Sequence, residues 1–194
     1  LGTWGKGIVR FDPNSKSPET QYIPQPLPVD ITGNATGAIY HMVQDDVFHY
    51  IWVTSWKDLF AFRITKEGHL EQVDTSSFLT PGNKILYEIY KDKDGKLWVS
   101  AFDVESFIID IRDYIVQKYP LPDLRNQLKA NPAINSLCKD EDGIFWFSQD
   151  RYGLCIYDSR KEKLKHYSQC QGTRNLPFGD VTNIARSYNH NWIW

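Results

Sequence analysis

The stretch DEDGIFWFSQDRYGLCIYD, residues 140–158, decides how the chain is to be read. It runs from a turn into apolar residues around Trp146, through a second turn closed by Gly153, to another apolar run ending at Asp158. The same order recurs from Asp92 as DKDGKLWVSAFDVESFIIDIRDY and from Asp45 as DDVFHYIWVTSWKDLFAFRI. The last residues, SYNHNWIW, run into the pattern once more and stop on its tryptophan. Trp52, Trp98, Trp146 and Trp194 therefore stand at spacings of 46, 48 and 48 residues. A period in the range of about 20 to 50 residues marks a repeat architecture, and it takes precedence over any local reading.

Four units follow, over residues 1–52, 53–98, 99–146 and 147–194. The opening LGTWGKGIVRFDP matches FSQDRYGLCIYDS after Trp146, so the chain is expected to begin inside a repeat, just past an anchor tryptophan. Each unit holds four apolar runs. The first has the form apolar-x-x-apolar-x-x-Asp, as in Ile39, Met42 and Asp45, or Leu86, Ile89 and Asp92, or Ile134, Leu137 and Asp140. A turn follows, Asp-x-Asp-Gly in two copies, where glycine supplies positive φ and aspartate bonds its own backbone. The second run is YIWVTS, KLWVSA or IFWFSQ, apolar without alternation, which predicts a strand covered on both faces. Short aromatic and β-branched runs bounded by Gly, Pro, Asn and Asp read as strands. The one helical candidate is a short segment around Leu124 and Leu128. A four-stranded antiparallel sheet repeated in tandem, each covered by its neighbours, is a β-propeller blade, and the fold class is all-β.

Composition excludes several functions. Hydrophobic residues make up 41% and aromatics 14%, enough for a packed interior. The net charge of −2 carries no basic stripe, so neither nucleic acid nor an anionic membrane surface is an expected partner. No apolar run reaches the roughly 20 residues of a membrane span. The three cysteines, Cys138, Cys155 and Cys170, include no Cys-x-x-Cys. Cys138 on a first strand and Cys155 on a third would lie roughly 9–10 Å apart, beyond disulfide reach, and all three thiols are expected free. The Asp-x-Asp-Gly turns lead straight into apolar strands and lack the distal ligands of a calcium loop. His41, His49, His69, His166 and His190 show no metal-ligand spacing. No metal and no cofactor are expected.

The combined pattern (apolar-x-x-apolar-x-x-Asp, a glycine turn, apolar-Trp-apolar-small-small, Gly-Leu, aromatic-Asp) resembles the two-component regulator propeller repeat. The unit from Ile134 through Trp146, Gly153, Leu154, Tyr157 and Asp158 to Tyr167 fits best; Asp58 and Ser106 depart, standing where glycine is expected. The resemblance implies part of a seven-bladed propeller in the periplasmic sensor region of a hybrid two-component histidine kinase. Such sensors detect oligosaccharides; the kinase parts and membrane span lie outside this chain, which is itself expected to be no enzyme.

Strand parity puts the loops after second and fourth strands on one rim and the Asp-x-Asp-Gly turns on the other. Loops on a rigid scaffold are where recognition usually resides. The first rim carries Trp4, Trp56, Phe102 and Tyr152 at related positions of successive units, beside Lys57, Asp58, Asp103, Asp150 and Arg151. Flat aromatic faces suit the C–H faces of sugars, and charged groups suit hydroxyls, sulfates or uronates. The same aromatics read equally as plugs between blades. Trp52, Trp98, Trp146 and Trp194 are expected as inter-blade anchors, because a repeat needs the same filler at the same place. Two further readings stand beside a sugar sensor: a scaffold that self-associates through open blade faces, and a propeller lyase built around His41.

Overall fold

The computed structural model describes residues 1–17, 22–29, 33–76, 85–101, 107–113, 115–118, 134–149, 153–158, 160–161, 163–167, 181–187 and 193. Among them every regular element is a β-strand. Each four-stranded sheet opens with a strand that precedes its anchor tryptophan, so the structural units straddle the boundaries drawn at the anchors; the first structural unit contributes β1 (Val9–Phe11) and β2 (Tyr22–Pro24), paired antiparallel. The second contributes β3 (Ile39–Gln44), β4 (Ile51–Ser55), β5 (Leu59–Ile64) and β6 (Leu70–Val73), in that order across one sheet. The third contributes β7 (Leu86–Lys91), β8 (Lys96–Ala101), β9 (Phe107–Asp110) and β10 (Ile115–Lys118). The fourth contributes β11 (Ile134–Lys139), β12 (Ile144–Gln149), β13 (Gly153–Asp158) and β14 (Lys163–Tyr167). Each of the last three sets is an up-and-down antiparallel sheet of four, the form of a propeller blade. Beyond β14, Arg186 bridges Ile193. The segment around Leu124 and Leu128 lies outside the described residues.

The second strands are buried on both faces, as their unalternating sequences predict: β4 is buried from Trp52 to Ser55 and β8 from Leu97 to Ala101. The core is laid between sheets. Trp52, fully buried, packs with Leu59 and Ala61 of its own sheet and with Leu86, Ile89, Leu97 and Ile109 of the next. Trp98 does the same among Ile134, Phe145, Phe147 and Tyr157, its ring 4.4 Å from that of Phe145. Trp146 departs from expectation and is only half-buried. Trp194 lies outside the described residues.

Three devices repeat with the sheets. The aspartate closing each first strand accepts the indole N–H of the anchor: Asp45 from Trp52 at 2.8 Å, Asp92 from Trp98 at 2.8 Å and Asp140 from Trp146 at 2.9 Å. Its other oxygen gathers backbone amides of the turn, where Gly95 and Gly143 both hold φ at 79°. Next, a hydroxyl two residues past the anchor ties sheet to sheet. Thr54 donates to the Tyr87 carbonyl at 3.0 Å, and Ser100 to that of Ile134 at 3.0 Å. Ser148, third of the set, is buried with no hydrogen-bond partner among the described residues. Finally, each first strand slips register near its start, between Ile39 and His41, Leu86 and Ile89, and Ile134 and Ser136. The amides freed there are taken by the same hydroxyls, His41 N–H by Thr54 and Glu88 N–H by Ser100.

Cys138 and Cys155 are buried on β11 and β13, and neither is in a disulfide. Burial pushes the first up to about 11 and the second to about 12, so neither is a thiolate at neutral pH. Cys170 lies outside the described residues.

Candidate functional site

A bulge re-aims the side chains beside it. The slip near the start of β3 falls at Tyr40 and His41, and that of β7 at Tyr87 and Glu88. Both slips lie at the end where first strands meet the exit of second strands, Ile39 facing Ser55 and Leu86 facing Ala101. That end is the rim opposite the Asp-x-Asp-Gly turns.

Three rings from three successive units meet there. Trp4 lies 5.4 Å from Tyr40 at 70°, and Tyr40 lies 4.9 Å from Tyr87 at 60°, both edge-to-face arrangements favoured by the aromatic quadrupole. Trp4 is 72% exposed. It is held in place by backbone: the Gly5 and Gly7 amides donate to the Gly37 carbonyl at 2.8 and 2.9 Å, and Ile39 N–H donates to Thr3. Gly37 is required by this approach, since a Cβ there would stand 2.6 Å from the backbone of Gly5. The Trp4 loop is thereby fastened to the start of β3.

Beside the rings, His41 and Glu88 join the same two sheets, Nδ1 to Oε1 at 2.6 Å, with 44% and 14% of their side chains exposed. The hydrogen bond to Glu88 raises the His41 pKa; partial burial opposes it, and the Glu88 charge adds to the rise. Burial, then the Tyr87 ring, raises the Tyr40 phenol likewise. A histidine whose folded pKa lies above its unfolded one stabilises fully below the unfolded value, and that contribution fades as pH climbs through the folded value. The NMR titration midpoint of His41 is accordingly expected above that of an ordinary histidine and should fall in Glu88→Gln. A midpoint unmoved by that change would break the link between the two residues.

Among the expected site residues, Trp4 joins this cluster and Trp56 stands apart from it. Trp56 is 52% exposed at the tip of a turn organised by Ser55. The Ser55 hydroxyl accepts from Lys57 N–H at 3.0 Å and Asp58 N–H at 3.1 Å and donates to the Asp58 carbonyl at 3.0 Å. The Asp58 carboxylate accepts from Leu59 N–H, so it shapes the turn in place of the expected glycine. Among the described residues both Trp4 and Trp56 are largely exposed. Phe102, Asp103, Asp150, Arg151 and Tyr152 lie outside the described residues. Sequence reasoning missed Tyr40, Tyr87 and Glu88. The one signal was that Tyr40 and Tyr87 occupy the same variable position of the first run, 47 residues apart.

On the opposite rim, Lys139 lies 5.8 Å above the Trp98 ring and 3.7 Å from Asp92. Lys91 pairs with Asp46 and Arg186 with Glu141. These pairs link each sheet to its neighbour and read as structural.

No family model matches the chain, and no curated protein does. Solved structures do. The extracellular domain of BT4673 from Bacteroides thetaiotaomicron, assigned to a hybrid two-component system, aligns over 100% of this chain with TM-score 0.60 and 17% identity. A second structure of that domain gives 0.56 and 19%. The extracellular domain of BT3049 from the same organism, also assigned to a hybrid two-component system, aligns over 91% with 0.52 and 16%. The chain spans 29% of the BT4673 domain and 28% of the BT3049 domain. At such identities the likeness is one of fold: the described residues share an all-β fold with those extracellular domains.

Proposed function

We propose that residues 1–194 form part of an extracytoplasmic, periplasmic sensory domain of a hybrid two-component system, a binding element without catalytic function of its own. Its ligand is an oligosaccharide seated on the rim where Trp4, Tyr40 and Tyr87 meet. The observation that carries this reading is the aromatic cluster itself: three rings from three units, the outermost largely exposed, beside a His41–Glu88 pair. Sugars present C–H faces to rings and hydroxyls to such polar pairs. The likeness to extracellular domains of two-component systems supports the sensory role. Signalling would pass to kinase domains elsewhere in a longer protein.

Titration calorimetry of a panel of glycan fragments against the complete extracellular region tests it. Trp4→Ala and Tyr87→Ala should each weaken binding by about 1–3 kcal/mol, the loss of one side chain's buried apolar area. Asp142→Ala, on the opposite rim, should change nothing. No glycan bound, or equal losses from all three changes, would favour a self-associating scaffold.

A further inference from the structure

The register slips of the first strands involve two successive positions, and the second of the two is engaged in the same way in different units. His41 Nδ1 meets Glu88 Oε1 of the next unit at 2.6 Å and lies 3.4 Å from the Ile89 amide. In the fourth unit the Ser136 hydroxyl donates to Asn183 Oδ1 of the next run at 3.2 Å and accepts from the Ile184 amide at 3.1 Å. Glu88 and Asn183 hold the same place in their runs, and so do Ile89 and Ile184. A salt bridge between one pair of units and a hydroxyl–amide contact between another therefore serve one end, tying each first strand to the next.

The position just before the tie is different. It holds Tyr40, Tyr87, Asn135 and, in the run that follows β14, Thr182. At the slips of β3 and β11, Tyr40 and Asn135 fall between the paired residues and have no partner of their own in the ladder. Tyr40 and Tyr87 meet across two sheets at 4.9 Å. Asn135 stands one unit further on, with β7 to one side of its strand and the run from Val181 to the other. Its side chain is half-buried and has no hydrogen-bond partner among the described residues. An amide carried on a rigid strand with donor and acceptor both unused suits a sugar hydroxyl, which itself donates and accepts.

Charge narrows the ligand further. Neither slip position carries a lysine or arginine in any of the four runs. With His41 protonated its pair with Glu88 is neutral; with His41 neutral the pair carries the charge of Glu88. Neither state draws an anion. We propose that the first slip position of each innermost strand reads the ligand, and that this ligand is a neutral oligosaccharide, not a uronate- or sulfate-bearing one. One sugar stacks on Tyr40 and Tyr87, and the Asn135 amide hydrogen-bonds a hydroxyl of the next. The inference rests on the sugar reading above and adds to it a specificity residue and a charge class.

Titration calorimetry of the complete extracellular region tests it with neutral hexose oligosaccharides and with uronate-bearing fragments of the same lengths. The neutral series should bind more tightly than the uronate series. Asn135→Ala should weaken the best neutral fragment by about five- to tenfold, the loss of one hydrogen bond, at an unchanged melting temperature. A general disturbance of the rim would be felt by every fragment, so the loss is followed through monodeoxy analogues of that fragment. One analogue, lacking the hydroxyl that Asn135 contacts, should bind wild type and Asn135→Ala alike. Ser136→Ala, at the tying position, should instead lower the melting temperature and leave the order of preference among fragments unchanged. Wild-type affinity in Asn135→Ala, equal losses across all the deoxy analogues, or tighter binding of the uronate series overturns this inference, and the sugar reading survives if Trp4→Ala still weakens binding. If no fragment of either series binds, both fall.

Discussion

Trp52→Ala should lower unfolding free energy by about 3–5 kcal/mol, read as a shift in the urea midpoint with the slope unchanged. The side chain is 0% exposed and sits where two sheets meet, so its removal leaves a cavity that neither sheet can collapse to fill. It also strips Asp45 of the indole N–H it accepts at 2.8 Å. Domains of this size hold about 5–15 kcal/mol in all, so the change takes a large share of that reserve. Trp4→Ala, removing an indole that is mostly in water, should stay within about 0.5 kcal/mol of wild type. The same residue type thus serves two ends, and the contrast separates anchor from rim. Comparable midpoints for the two variants would mean that Trp52 is not the inter-sheet filler.

The anchors were readable because a repeat demands the same filler at a fixed interval, and a tryptophan every 46 to 48 residues has no competing local explanation. The turns were readable for a similar reason: Gly95, Gly143 and Gly153 all adopt positive φ, which only glycine does at little cost. Departures were readable only as departures. Asp58 marks a turn without glycine, but that Ser55 and its own carboxylate would close it is a matter of three-dimensional hydrogen bonding. The half-buried state of Trp146 is set by packing between units, which no pattern within one unit specifies.

The candidate site was less legible than the blades. Aromatics in loops were weighed as ligand contacts because loops carry recognition, and Trp4 is an exposed aromatic in such a loop. Tyr40 and Tyr87 lie on innermost strands, at positions the repeat leaves variable, and they reach the rim only through a register slip in each first strand. Such a slip is invisible in a hydrophobic pattern, because the buried residues on either side stay in phase with their own contacts. His41 drew notice as the histidine on an innermost strand. Its partner Glu88 comes from the next sheet, and sequence separation hides that contact. Pairing across sheets, in short, follows from the stacking of units and not from any one of them.

Asp45→Ala should be as damaging as loss of the anchor, at about 3–5 kcal/mol, because one buried carboxylate holds a whole turn. One oxygen accepts from the amides of Val47 at 2.8 Å, Phe48 at 2.6 Å and His49 at 3.1 Å; the other accepts from Tyr50 at 3.2 Å and from the Trp52 indole. Asp45 is fully buried, so alanine would leave these donors without their acceptor. Asn retains an oxygen for the first three amides and offers an N–H to the others, so Asp45→Asn should fall between wild type and alanine. The carboxylate has an added task in this unit. His49 stands three residues before its anchor, where the next two units have Gly95 and Gly143, and it is held at φ 59°, strained for a residue with a side chain. His49→Gly should therefore be neutral or mildly stabilising, and it should soften the effect of Asp45→Ala in a double-mutant cycle. Additive effects would show that Asp45 binds the turn without restraining His49. A full-strength Asp45→Ala variant, melting as wild type does, would remove the carboxylate from the architecture altogether.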